Sequence, residues 1–204
     1  MKGVDVSENN GRVNWSDDVA AAGFEFAMVR LGYGHGHMDS RFYENINGAI
    51  AAGLKVGVYF YSYAITQKDA DYEADFLVQA LQDCGLTAEK LPMGVWIDEE
   101  DDDGWRRNHG LDAYGDSQLV TNMATATINK LWDAGFTPAG VYMNCDWKEN
   151  VIDMDQTGGA GLWLAQPGAS HPAYDCMLWQ YTFTENINGH EFDGNIVMGG
   201  FDNV

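Results

Sequence analysis

The chain has 204 residues, 46% of them hydrophobic, enough to bury one full-sized core, so a single domain over residues 1–204 is expected. Its 31 acidic residues against 11 basic ones give a formal net charge of −20, which argues against nucleic acid and anionic membrane surfaces as partners, since both reward Lys and Arg. No run of about 18 apolar residues is present to insert in a membrane, and the opening "MKGVDVSENNGRVNW" carries no apolar signal stretch, so export would need another route or a leader already removed.

In chain order, apolar and β-branched runs alternate with longer helical patterns. "KGVDVS" reads as a buried strand, and "NWSDDVAAAGF" as a helix that Asn14 or Ser16 caps and Gly23 stops. A strand "FEFAMVRLGY", a helix around "DSRFYENINGAIAAG" and a strand "KVGVYFYSYA" follow. In the long helix "TQKDADYEADFLVQALQDCG", Tyr72, Phe76, Leu77 and Ala80 recur at helical spacing and are expected to face the core. Next come the strand "MGVWIDEE", the helix "DSQLVTNMATATINKLWDAG" and the strands "AGVYMN", "GLWLAQ" and "DCMLWQYT". This alternation predicts the α/β class, with a mainly parallel sheet, open or closed, under covering helices; the last third is more irregular.

Cys84, Cys145 and Cys176 form no Cys-x-x-Cys pair and are odd in number, so they read as core or incidental thiols rather than a zinc site or a disulfide framework. His35 and His37 in "GYGHGHMD" supply too few ligands for a metal and read as part of a Gly-rich loop.

If the sheet closes as a barrel, its chemistry gathers at the carboxyl ends of the strands. Asp5 and Ser7 end the first strand, Tyr59 and Tyr61 the third, Asp98 and Glu100 the fourth, Tyr142 and Asn144 the next, with Gln166 and Gln180 near the ends of the last two. Together they would line one acidic, aromatic cleft. The run Asp98 to Asp103 is the strongest local signal, and a charge run alone is more often a solvated loop. That reading suits Asp101, Asp102 and Asp103. It suits Asp98 and Glu100 less, because they continue from the apolar "VWI" and, by strand alternation, share one face while Glu99 takes the other. Two carboxylates so placed cannot both ionise cheaply, which leaves a proton donor beside an ionised partner. A calcium loop laid over Glu99, Asp101, Asp103 and Gly104 fails at its first and last positions. Tyr59, Tyr61, Tyr63, Tyr142, Trp163, Trp179 and Tyr181 lie in or at the ends of strands; each alone is more often a core residue, but their clustering suits the faces and hydroxyls of sugars.

The stretches "GVDVSENNGRVNW", "GFEFAMVRLGYG", "DSRFYENINGAIAAGLKVGVYFYSYA", "LPMGVWIDEED", "GVYMN", "GLWLAQ" and "LWQYT" together resemble glycoside hydrolase family 25, the Chalaropsis-type lysozymes of bacteria, phages and some fungi. The resemblance runs over nearly the whole chain. It implies an irregular, flattened TIM-like β/α barrel that hydrolyses the β-1,4 bond between N-acetylmuramic acid and N-acetylglucosamine in bacterial peptidoglycan. By motif, Glu100 would be the general acid and later the base, Asp98 would orient the substrate N-acetyl group, and Asp5 would hold a sugar or support the pair. Tyr59, Tyr61, Tyr142, Asn144, Trp163, Gln180 and Asp193 are the expected substrate-binding residues. Retention with the N-acetyl oxygen as nucleophile is the favoured mechanism; positions two apart on a strand are about 6.5 Å apart, which does not fix the stereochemistry because side chains flex. The resemblance implies no cofactor or metal, and a monomer acting outside the cell or at the wall, whether secreted or released by a phage at lysis.

One departure stands out. The family's Gly-Asn-Val-Asp-like stretch, whose Asp is a further active-site carboxylate, is matched by "FDGNIVMGGFDN" with Val197 at the Asp position, leaving Asp193 or Asp202 as substitutes. Two rivals remain: another N-acetylhexosaminidase, disfavoured because Met93 and Trp96 stand where family 18 chitinases carry aspartates, and a non-catalytic glycan-binding module, which would have no need of both Asp98 and Glu100.

Overall fold

The computed structural model describes residues 1–201. Among them, nine strands form one sheet: β1 (Lys2–Val6), β2 (Phe26–Tyr33), β3 (His37–Met38), β4 (Lys55–Tyr61), β5 (Val95–Asp98), β6 (Ala139–Asn144), β7 (Gly161–Ala165), β8 (Leu178–Ile187) and β9 (His190–Val197). β1 pairs with both β9 and β2, so eight strands close into a barrel while β3 hangs as a two-residue flap on β2. The barrel strands up to β8 run parallel; β9 alone is antiparallel, wedged between β8 and β1. The fold is therefore a TIM-like α/β barrel. It is irregular because a hairpin closes it and because the last connections carry little helix. The segment read as the strand "DCMLWQYT" in fact continues to Ile187 and returns as β9.

The helices are α1 (Phe42–Ala51), α2 (Gln67–Asp83), α3 (Trp105–Asn108), α4 (Ser117–Asp133) and α5 (Cys145–Asn150). "NWSDDVAAAGF" forms a single wide helical turn, Trp15–Ala20, which Asn14 rather than Ser16 caps by accepting from the Asp17 N–H; Gly23, at φ 86°, turns the chain away. In α2, Thr66 and Asp69 cap each other reciprocally, fixing the first turn. Its buried stripe is Ala70, Glu73, Ala74, Leu77, Ala80 and Leu81. Tyr72, expected in the core, is 52% exposed, and Phe76 is half-buried. The stripe runs through the acid Glu73, one position along, because Ser62 and the Tyr63 N–H satisfy that carboxylate in the interior.

Alternation along the strands sorts the core into two parts. Outward residues such as Val29, Val58, Ile97 and Val141 pack against the helices, while Phe26, Met28, Trp96, Trp163 and Leu178 fill the barrel. Room for two of the floor rings, Phe26 and Trp96, comes from strand glycines. A Cβ on Gly3 would lie 2.4 Å from the Phe26 ring, and one on Gly140 would lie 2.4 Å from both the Trp96 ring and the Gly161 carbonyl oxygen. Trp96 is completely buried, and its indole N–H donates to the Met93 carbonyl at 2.7 Å. Gly140→Ala is therefore expected to destabilise the protein by on the order of 1–3 kcal/mol through overpacking, measurable as a lower denaturation midpoint with an unchanged slope.

Candidate active site

The carboxyl ends of the strands surround a polar cleft of about 370 Å³. β1 supplies Asp5 and, just beyond it, Ser7; β2 supplies Arg30, β4 Tyr59 and Tyr61, β6 Tyr142, β7 Trp163, β8 Gln180 and β9 Asp193. β5 ends at Asp98, and Glu100 follows two residues later into the same cleft. Strand register places Asp98 between Tyr61 and Tyr142, and Asp5 directly across from Asp193. Of the strand-end residues expected from the sequence to line this cleft, Asn144 and Gln166 do not; the Gln166 side-chain oxygen accepts from the Ala173 N–H at 2.8 Å instead. As for Asn144, it ends β6 and its side-chain oxygen caps α5 by accepting from the Trp147 N–H at 2.9 Å, beside a neighbouring groove that holds Asp101 and Asp146.

A hydrogen-bonded chain fixes Asp5. The Tyr142 hydroxyl donates to Gln180 Oε1 at 2.8 Å, and Gln180 Nε2 donates to Asp5 Oδ2 at 2.8 Å. From the other side, Trp163 Nε1 donates to Asn195 Oδ1 at 2.8 Å, and Asn195 Nδ2 donates to Asp5 Oδ2 at 2.6 Å. An indole N–H can only donate, so Trp163 sets which way the Asn195 amide points and aims its donors at the carboxylate. Trp163 is 1% exposed and packs edge-on against Tyr59, Tyr142 and Trp96. It is thus a supporting ring, whereas the half-buried Tyr61 presents an aromatic surface to the cleft.

Asp193, Asn195 and Val197 lie on one face of β9. Val197 pairs with Leu178 and packs in the apolar floor, so the hydrophobic residue falls where the barrel is dry, while Asp193 supplies a carboxylate at the mouth. Asp202 lies outside the described residues.

All four cleft carboxyls are shifted upward. Burial, then the charges of Glu100 and Asp5, raise Asp98, with Arg30 opposing, and Asp98 Oδ1 has no hydrogen-bond partner within the protein. Glu100 is pushed up to about 8 by burial first and then by Asp102, Asp103 and Asp193. Asp193 is pushed up to about 6 by burial. Asp5 is raised by burial and by Asp193, while its bonds from Asn195 and Gln180 pull the other way and favour its ionised form. Burial thus favours the protonated form at every one of these carboxyls, Glu100 included, and of the four it is Asp5 whose hydrogen bonds work against it. Arg30 is the only cationic side chain lining the cleft among the described residues. Its Nε donates to Asp39 at 2.8 Å and a second nitrogen to Glu8 at 3.2 Å, so carboxylates outside the cleft already offset much of its charge.

The trailing acids do not converge on a cation site. Asp101 accepts from the Arg106 and Arg107 N–H groups at the start of α3, and Asp103 accepts from the Trp105 N–H and the Tyr63 hydroxyl. Among the described residues, no group of three or more His, Cys, Asp or Glu is placed to hold a metal ion. His35 and His37 stack on Tyr72 and Tyr33.

Sequence reasoning missed Arg30 and Asn195. A lone Arg inside the apolar run "FAMVRLGY" was a usable signal for the first. Asn195 gave none, because it belongs to a strand whose pattern is broken by Gly194.

The pH dependence of stability follows from Glu100. Its ordinary value is 4.5 and its folded value about 8, so between these the unfolded chain has released a proton that the folded chain keeps. Stability is then fully present below the lower value and falls as pH rises through the window. Wild-type protein is expected to melt lower at about pH 8 than at about pH 5. Glu100→Gln should melt above wild type at the higher pH, with the gap closing toward acid, as read by thermal denaturation.

The sequence profile described as Glycosyl hydrolases family 25 matches residues 4–190. "Lysozyme M1" of Streptomyces globisporus is 37% identical over 201 residues, covering 93% of this chain and 64% of that protein. The "Autolytic lysozyme" of Clostridium acetobutylicum is 26% identical over 214 residues, covering 98% of this chain and 58% of that protein. The chain thus spans about three fifths of the length of these two relatives. The crystal structure of the bacterial lysozyme from Streptomyces coelicolor superposes with a TM-score of 0.77 at 22% identity, covering 98% of this chain and 93% of that one, which is likeness of fold. From the profile match over most of its length, the chain belongs to glycosyl hydrolase family 25.

Proposed function

We propose that the protein is a muramidase, hydrolysing the β-1,4 bond that follows N-acetylmuramic acid in bacterial peptidoglycan. The observation that carries this is the pairing of a proton-holding Glu100 with Asp98 at the mouth of the barrel, in a family of glycoside hydrolases. Glu100 donates its proton to the glycosidic oxygen as the bond to the leaving sugar breaks. The carbonyl oxygen of the muramic acid N-acetyl group attacks the anomeric carbon from the opposite face, and Asp98 holds the amide N–H and balances the positive charge that develops. Glu100, now a carboxylate, removes a proton from the incoming water, and the anomeric configuration is retained. Asp5, held by Gln180 and Asn195, and Asp193 across from it supply negative potential and sugar contacts. Tyr59, Tyr61 and Tyr142 have hydroxyls raised by burial and remain protonated donors at working pH.

In this reading residues 1–204 form one catalytic unit that acts as a monomer at the cell wall, after secretion or release at lysis. Among the described residues no helix is long and apolar enough to cross a membrane. The formal net charge of −20 opposes approach to anionic wall polymers, so raising salt should help more than it hurts on such walls.

Purified peptidoglycan digested by the protein and reduced with borohydride should yield reduced muramic acid, and Glu100→Gln should yield none. Reduced glucosamine, or no new ends from several wall types, would reject the reading. Activity should fall as pH rises through about 8, where Glu100 loses its proton. The acid limb, set by ionisation of the upward-shifted Asp98, should lie above the ordinary aspartate value of 3.8.

A further inference from the structure

The acid segment has an outer face that the chemistry above does not use. Glu99 points away from the cleft and is 2% exposed. Its carboxylate lies 2.6 Å from a guanidinium nitrogen of Arg106, itself completely buried, an ion-pair contact whose angles fall short of a hydrogen bond. A second nitrogen of Arg106 donates to the Ser62 carbonyl at 3.0 Å, just past the end of β4. The Ser62 hydroxyl donates to Glu73 of α2 at 2.7 Å, and the other Glu73 oxygen accepts from the Tyr63 N–H at 3.1 Å. The guanidinium also lies 5.5 Å from the centre of the Trp147 ring in α5. The segment between β5 and α3 is thereby tied through Arg106 to the end of β4 and to α5, and from Ser62 onward to α2.

The ladder alone does not reach the proton donor. β5 ends at Asp98, and the pairing that continues past it is the Glu99 N–H donating to the Tyr142 carbonyl at 3.0 Å. Glu100 is the next residue. From the neighbouring Glu99, alternation sends the two side chains to opposite sides, so whatever grips Glu99 from outside sets where Glu100 stands inside. A buried ion pair is a poor source of stability, because an apolar pair of similar size often serves as well. What an apolar pair lacks is a charge that pulls on Glu99 from the same rigid, planar group that donates to the Ser62 carbonyl.

We propose that Arg106 is a positioning residue, which through its buried ion pair with Glu99 fixes the backbone that presents Glu100 to the cleft. This rests on the reading of Glu100 as the proton donor. The test replaces both partners, Glu99→Leu with Arg106→Met, so that neither partner is left as a lone buried charge and net charge near the cleft is unchanged, while Glu73 keeps its bonds from Ser62 and the Tyr63 N–H. The double variant should melt close to wild type and keep KM for soluble glycan fragments, while kcat falls about tenfold or more across the whole pH profile, as a small misplacement of a catalytic group would cause. Amide hydrogen exchange should quicken over residues 99–104 and stay unchanged in β4 and β6. Arg106→Lys, which keeps the charge and loses the fork, should fall between the two, and it carries the same measurements if the double variant does not fold. A folded variant with wild-type kcat and unchanged exchange would overturn the proposal. If the wild-type protein itself released no reducing ends, the muramidase reading would fail, and the exchange comparison would still decide whether Arg106 holds the segment.

Discussion

The whole arrangement depends on a dry floor beneath the carboxylates. Phe26 and Trp96 fill the barrel because neighbouring strands give up their side chains at Gly3 and Gly140, and no smaller rings would close the space as well. With that floor in place, Asp5 and Asp98 are buried and Asp193 half-buried above it, beside the amides and tyrosines of the neighbouring strands. Desolvation is the first cause of the upward shift for each of these groups and for Glu100. An aqueous trough with the same acids would leave them all ionised and hold no proton to donate.

The site then divides labour by face and by strand direction. Parallel strands deliver Asp98 and its tyrosine neighbours in register, while the antiparallel β9 delivers Asp193 across from Asp5 and brings Asn195 diagonally beneath it, opposite Gly3. Directly opposed like charges repel and burial raises both carboxyls, while Asp5 accepts two amide bonds that work the other way. The opposite face of the acid segment is equally populated, with Glu99 and Arg106 in the interior.

Much of this was legible in the sequence because its signals were periodic. The barrel strands up to β8 stand out as apolar runs ending in polar residues, and the three longer helices as spaced stripes; the short β3 sits in a stretch that reads as a loop. β9 was not legible: "HEFDGNIV" puts acid, amide and Val on its inner face, following a gradient from wet mouth to dry floor rather than a repeating pattern. The same gradient puts Val197 against the floor and Asp193, four residues earlier, in the cleft lining. Tyr72 and Glu73 exchanged expected places because an acid satisfied by Ser62 and the Tyr63 N–H reads in sequence like any solvent-facing residue. Asn144 was misplaced because a helix begins at the next residue and takes its side chain as a cap.

Closure by a hairpin also governs how copies of the protein behave toward one another. Every barrel strand has a partner on both sides, so the long apolar strands offer no unpaired backbone to a second chain. Among the described residues, the free edges are the two-residue β3 and the hairpin beyond the barrel, where Glu185 and Glu191 sit. A flat, greasy edge would invite intermolecular sheet growth wherever the protein accumulates. Among the described residues the edges that remain are short or carry acids, which leaves a second copy little unpaired strand on which to extend the sheet.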